Sequence, residues 1–289
     1  YVYEKEGRPD IIYGHFAAKA GTSAVRMAKK YHLPVAVIEH GGNIMVPQKS
    51  PYLGGVLKYI SDRADALICV STKQKEFVEK HCRKTDRMYV VPNMVEPMFD
   101  YREHEKGQPF TFFAAGNLYK MKRMDLLINA YADVFSEDDQ VVLRIAGLGW
   151  EQEHLESIIR ERHLENRVSL LGRLDRHQIY DEYVNCDVFA MASEHESFGI
   201  AYREAMCVGR PVVSSENGGI REGWSSKFGL LVPVDDREAL GNALRTIYEK
   251  YDQYELKEIS ALNREQTSPE NVMGQLISIF EKAILNHQK

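Results

Sequence analysis

The chain has 289 residues, 44% hydrophobic and 27% charged, with a formal net charge of −5. At roughly 150 residues per domain that length suggests about two domains, and the composition excludes a disordered or collagen-like chain. Residues 1–107 carry 17 Lys and Arg against 13 Asp and Glu, the remainder 20 against 29; neither balance supports nucleic-acid binding, and no aromatic-studded basic stripe occurs.

The first ten residues, Tyr1–Asp10, are charged rather than apolar, so no signal peptide is expected, and a start at Tyr1 reads as a processed or truncated chain. No run approaches the ~18 apolar residues of a membrane-spanning helix. Strands are predicted at Asp10–His15, Pro34–Glu39, Ala66–Ser71 and Met88–Pro92, with helices at Thr22–Tyr31 and Thr72–His81 between them. The polar stretch Asp100–Pro109 (DYREHEKGQP) reads as a linker. Beyond it strands are predicted at Phe110–Gly116, Gln140–Gly147, Arg167–Gly172, Asp187–Ala192, Pro211–Ser215 and Phe228–Val232. Helices are expected at Lys122–Phe135, Glu151–Arg162, Ile200–Val208 and Arg237–Lys250, and a last amphipathic one at Asn271–Ile284. Strand–helix alternation with unbroken apolar strands points to right-handed βαβ units and parallel sheets covered on both faces.

Cys69, Cys82, Cys186 and Cys207 include no Cys-x-x-Cys pair, and Cys69 and Cys207 are expected in the core. With no Asn-x-Ser/Thr sequon either, a reducing, cytoplasmic compartment is expected.

Chemistry concentrates where strands end. In SEHESFGIAYREAMCVGRPVV (Ser193–Val213) a buried strand, a polar loop and a helix capped by Gly209 follow one another. On a helical wheel Ala201, Ala205 and Val208 form a buried stripe with Glu204 on its flank, while Glu196 stands in the loop at the strand's carboxyl end. The N–H groups of Phe198, Gly199 and Ile200 suit a phosphate. An extended nucleotide sugar then fits, its ribose beside Glu204 and its sugar towards Glu196. The alternative is that Glu196 caps the helix and Glu204 makes a surface ion pair.

Lys120, Lys122 and Arg123 crowd a helix start after the strand ending at Gly116. Cations there oppose the helix dipole, each costing about 0.3–1 kcal/mol. A bound anion reverses that sign; solvated surface charge is the other reading. Gly147 and Gly149 lack the third glycine of a dinucleotide fingerprint, position 152 being Gln152, so a tight turn is favoured over a nicotinamide site. His15 and His40 end two strands of the first part and have no partner at metal-ligand spacing. No two aspartates stand two positions apart, which removes a metal-diphosphate signature. No P-loop or nucleophile elbow occurs.

As a set these residues resemble the retaining glycosyltransferases of family four, which have the glycosyltransferase-B fold. The similarity runs from PDIIYGHF through ADALICVSTKQKEFV and VVPNMVEPMF to GNLYKMKRMDLLINAY, IAGLGWE and VSLLGRL. It is most specific at ESFGIAYREAMCVGRPVV and continues through NGGIREG and FGLLVPVDDREAL.

The resemblance implies an α/β protein of two Rossmann-like parallel-sheet domains facing a cleft, the first of them incomplete. They would be a partial acceptor-side domain at 1–107, a donor-binding domain at 108–270, and a C-terminal helix at 271–289 crossing back. It implies donor binding by Gly116, Asn117, Lys122, Arg173, Glu196, Ser197, Phe198, Gly199, Ile200 and Glu204. Lys122 would hold the diphosphate, Glu196 the donor sugar, Glu204 the ribose, backbone from Ser197 to Ile200 the distal phosphate, and backbone near Arg173 the nucleobase. His15 would lie near the transferred sugar, so Glu196, Lys122 and His15 are the catalytic candidates. Asn117 stands where the family usually has arginine, with Lys120 as the compensating charge.

The implied reaction moves a sugar from a UDP- or GDP-sugar to a hydroxyl of a glycan or lipid-linked acceptor, with retention and with no metal or other cofactor. The basic first part fits an anionic or membrane-surface acceptor, hence peripheral contact at the inner membrane face through the N-terminal domain. The rivals are a nucleotide-sugar epimerase of the same architecture, a glycoside hydrolase using Glu196 and Glu204, and an inactive donor-binding fragment.

Overall fold

The computed structural model describes residues 7–41, 51–136 and 140–288. Tyr1–Glu6, most of the segment read above for a leader, lie outside the described residues. The chain is an α/β protein with two parallel sheets and two separate hydrophobic cores. One unit is drawn from Tyr1–Met94 together with Pro269–Lys289, and the other is Val95–Ser268.

In the first unit β1 (Ile12–His15), β2 (Val35–Glu39), β3 (Ala66–Cys69) and β4 (Met88–Val90) lie side by side in chain order, all parallel. Parallel neighbours need crossovers, and α1 (Thr22–Tyr31), α2 (Pro51–Ser61) and α3 (Thr72–Glu79) supply them. Every residue of β2 and β3 is buried, as a sheet covered on both faces demands. Ser71 starts α3 by accepting from the Gln74 N–H at 3.2 Å. The last helix, α10 in chain order (Pro269–His287), buries Val272, Leu276, Ile279 and Ala283, one helical stripe. Its end is tied by His287 Nδ1 at 3.2 Å from the Asp65 carboxylate.

The second unit has six parallel strands, β5 (Phe110–Ala115), β6 (Val141–Ala146), β7 (Val168–Gly172), β8 (Val188–Met191), β9 (Val212–Ser215) and β10 (Gly229–Val232). Their spatial order is β10-β9-β8-β5-β6-β7, so the chain reverses its direction of travel between β5 and β8. Helices α4 (Met124–Val134), α5 (Gln152–Glu161), α6 (Arg176–Asn185), α7 (Ile200–Cys207), α8 (Arg237–Glu249) and α9 (Leu256–Thr267) accompany them. The two ends of the unit meet, for the Val95 N–H donates to Thr267 O at 3.0 Å.

All ten strands fall within two residues of their predicted bounds. The helix expected from Lys122 begins instead at Met124, because Lys120–Lys122 form a single 3-10 turn and Arg123 takes a left-handed conformation at φ 49°. The structure adds three helices, α2, α6 and α9, to those expected. Two glycines, Gly54 and Gly55, dilute α2. Only Tyr183 is buried on α6, and α9 buries Ser260, Asn263 and Thr267 beside Ile259.

The stretch expected as a linker is part of the second unit. Asp187, fully buried, accepts from the N–H groups of Gly107 at 2.7 Å and Thr111 at 2.6 Å, with His104 Nε2 at 3.0 Å. Its charges face water while its backbone is anchored inside, so polarity alone misplaced it, and the unit begins at Val95 rather than at residue 108. Cys69, Cys186 and Cys207 are buried free thiols. Among the described residues no helix is long and apolar enough to cross a membrane. Asp187→Ala leaves two part-buried N–H groups without their acceptor and is expected to lower the unfolding free energy by about 2 kcal/mol in urea denaturation.

Candidate functional site

A parallel sheet opens a crevice where neighbouring strands send their chains to opposite sides. In the second unit that point lies beyond the carboxyl ends of β5 and β8. The 3-10 turn after β5 carries Lys122, and its stem lies beside Gly116. The loop after β8 carries Glu196. The two side chains meet, Lys122 Nζ to Glu196 Oε1 at 2.5 Å, both largely buried. A backbone bond from the Glu194 N–H to Met121 O, 2.9 Å, ties the same two segments together.

The Glu196 loop is clamped on its other side. The Glu196 N–H donates to Asn217 O at 3.4 Å, and the Gly219 N–H returns a bond to Glu196 O at 3.1 Å. Helix α7 then starts from Gly199, whose φ of 78° is left-handed. A Cβ there would stand 2.3 Å from the Tyr202 ring, so no other residue fits. No side chain caps this helix, which sets aside Glu196 as a cap. The N–H groups of Phe198, Gly199 and Ile200 meet no protein acceptor among the described residues. An uncapped helix start beside an ammonium is a place for an anion.

Glu204 lies one turn along α7 and is 4% exposed. The expected stripe holds at Ala205 and Val208, but Ala201 is only half-buried while every residue from Tyr202 to Cys207 is buried. Glu204 is therefore enclosed rather than flanking, and its ion pair joins a buried carboxylate to a half-exposed arginine. Arg176 Nη1 donates to its Oε1 at 2.9 Å and the Tyr183 hydroxyl to its Oε2 at 3.2 Å, both from α6. Arg176 also reaches Glu96 at 3.0 Å. Burial holds the Glu204 carboxyl above the usual carboxylate range, although Arg176 and Tyr183 pull it down.

Sequence reasoning overlooked Arg176 and Tyr183. The one available signal was the capping box Asp175-x-x-Gln178 that starts α6, which the structure forms in full. Arg123 is neutralised by Asp125, Glu194 and Asp235, whereas Lys120 has no ion pair among the described residues. Asn117 lies between Gly116 and this turn, its carbonyl accepting from the Tyr119 N–H at 2.8 Å. Arg173 is exposed just past β7, and no contact among the described residues joins it to the others. At Gly149 a Cβ would stand 2.1 Å from Leu118 O, so this glycine serves a tight turn.

His15 belongs to the first unit, at the carboxyl end of β1. Its Nδ1 lies 2.9 Å from Nε2 of His40, the residue following β2, and His40 Nδ1 lies 2.7 Å from Asn93 Oδ1. Burial lowers the pKa of both imidazoles.

A family model described as glycosyl transferases group 1 matches residues 99–261, and one described as glycosyltransferase family 4 matches residues 3–99. The chain is 25% identical over 227 residues to N-acetyl-alpha-D-glucosaminyl L-malate synthase of Bacillus anthracis, covering 74% of this chain and 58% of that one. An uncharacterized glycosyltransferase of Methanocaldococcus jannaschii is 25% identical over 221 residues, 76% of this chain and 60% of that one. The chain thus spans less than two thirds of the length of these relatives. The crystal structure of Anabaena HepE in complex with UDP and glucose superposes with a TM-score of 0.84 at 20% identity, covering 97% of this chain and 80% of that one. Sucrose-phosphate synthase from Thermosynechococcus elongatus gives 0.83 at 20% identity, over 98% and 76%. The shared fold is the glycosyltransferase-B architecture.

Because the folded pKa of Glu204 is raised, its ionisation costs stability: the contribution is favourable in acid and is lost as pH rises through the folded value. Glu204→Gln removes that charge and is expected to be at least as stable as the parent at pH 7 in urea denaturation. A deficit above about 1 kcal/mol would show that the ion pair outweighs the desolvation.

Proposed function

The chain belongs to the glycosyl transferases group 1 family, and from that premise we propose that it moves a sugar from a nucleoside-diphosphate sugar to an acceptor hydroxyl with retention of anomeric configuration. The observation that carries this reading is the joining of Lys122 to Glu196 across the reversal between β5 and β8, beside an uncapped helix start.

Breaking the anomeric bond leaves negative charge on the departing diphosphate and oxocarbenium character on the sugar. The Lys122 ammonium and the N–H groups of Phe198 to Ile200 stabilise the first, held in place beforehand so that little reorganisation is needed. A diphosphate competes with Glu196 for Lys122 and frees that carboxylate to orient sugar hydroxyls. Glu204 accepts the ribose hydroxyls, and backbone near Arg173 meets the base. Gly116 and Asn117 line the diphosphate, with Lys120 supplying the second positive charge. The acceptor hydroxyl attacks from the face that the diphosphate leaves, and a phosphate oxygen takes its proton. This scheme asks for no metal ion.

His15 is assigned to a hydroxyl of the transferred sugar. The acceptor is taken as a glycan or lipid-linked saccharide, with peripheral membrane contact, on the basic balance of residues 1–107. Since HepE was solved with UDP and glucose, UDP-sugars are the first donors to test, followed by GDP-sugars.

In calorimetry, Glu204→Gln and Lys122→Ala are each expected to weaken nucleotide-sugar binding at least tenfold, about 1.4 kcal/mol. Unchanged affinity for every nucleotide sugar in both variants would sink the site. The anomeric configuration of the product, read by NMR, should match that of the donor, and an inverted product refutes retention. Sugar altered without any acceptor would instead mark an epimerase. Binding without turnover would mark a donor-binding fragment.

A further inference from the structure

The carboxyl edge of the first sheet carries an array of which the donor scheme uses only one end, His15. His15 ends β1, His40 and Asn93 lie just past β2 and β4, and the three are joined in series at 2.9 and 2.7 Å. The two imidazoles lie nearly parallel, 8° apart, with centroids 5.1 Å apart.

The direction of these bonds is determined by chemistry. Asn93 Oδ1 only accepts, so His40 Nδ1 carries its proton. Neutral His40 then presents a bare Nε2, which accepts from His15, so the proton of His15 sits on Nδ1. That leaves His15 Nε2 with an exposed lone pair, and among the described residues it meets no donor. We propose that His40 and Asn93 are positioning residues that hold His15 in its Nδ1–H tautomer, making Nε2 a fixed acceptor for a saccharide hydroxyl. The ligand class rests on the glycosyltransferase reading; the tautomer does not.

The surroundings keep the pair neutral. The Tyr13 ring packs edge-on against His15 at 4.5 Å and Phe16 against His40 at 5.2 Å. The nearby charged groups are turned elsewhere. Glu39 accepts from the N–H groups of Ala17 at 2.8 Å and Gly41 at 2.6 Å, and the Lys19 ammonium lies 5.3 Å over the Phe16 ring. One proton enters at His15 Nε2 without breaking either bond. A second would set N–H against N–H at 2.9 Å, so the pair titrates as one unit. The acceptor is present at neutral pH and becomes a donor once that proton binds.

Long-range nitrogen–proton correlation spectra of the full chain with nitrogen-15-labelled histidine read the tautomer without substrate, His15 being assigned with His15→Gln. At pH 7.5 His15 is expected to be protonated at Nδ1. His40→Gln, whose amide accepts from His15 and donates to Asn93, should keep that tautomer, and His40→Phe should lose it. With saccharide acceptor and nucleotide sugar, His40→Phe should lower kcat about tenfold while donor KM changes less than twofold. A parent His15 protonated at Nε2 overturns the proposal, as does a His40→Phe variant with the tautomer unchanged. If His40→Phe fails to fold, the parent spectrum decides. Absence of all nucleotide-sugar binding with the Nδ1–H tautomer intact would strike the donor reading and leave the array standing.

Discussion

One topological constraint governs the six-stranded unit. Strands β5 and β8 are neighbours, yet the chain leaves them towards opposite sides of the sheet. No continuous backbone fills the space above their ends, so polar side chains there must satisfy one another or a ligand. Lys122 and Glu196 do the former, and Glu194 bonded to Met121 keeps their two segments in register. The crevice is thus built as one framed piece rather than as two loops that happen to converge.

A second tension lies one turn along α7. Glu204 is almost fully buried, and burial works against its charged form while Arg176 and Tyr183 favour it. Such an arrangement favours specificity over stability, because a buried carboxylate with few donors gains most from hydroxyls that arrive with a ligand. Arg176 is shared with Glu96, so its guanidinium is held from two sides and does not need to be ordered anew.

The parallel α/β class and all ten strands were legible because buried parallel strands are unbroken apolar runs between helix-capping residues. Glu196, Lys122 and the glycine before α7 were legible because they sit at strand ends, where periodicity stops and chemistry-bearing residues stand out. The helices α6 and α9 were not, since their fully buried positions are polar or few and their 3.6-residue signal is weak. With α6 went Arg176 and Tyr183, whose role depends on a helix docking beside α7. Asn93 was equally hidden, for only the fold brings the end of β4 to the end of β2. The polar stretch before β5 misled for the converse reason: hydrophilic composition reports side chains, while Asp187 holds its backbone.

The hydrogen bond from Val95 to Thr267 has an evolutionary and practical side. It brings the entrance and the exit of the six-stranded unit to a single point, so topologically the unit is an insertion with touching ends. A module closed in this way has one place at which both of its connections can be cut. Excised between Val95 and Ser268 it keeps His104 and Gly107 on Asp187, whereas a cut at residue 108 would strip both from a carboxylate that has no water to turn to. Recombination between related chains has one economical seam, and it runs through that bond.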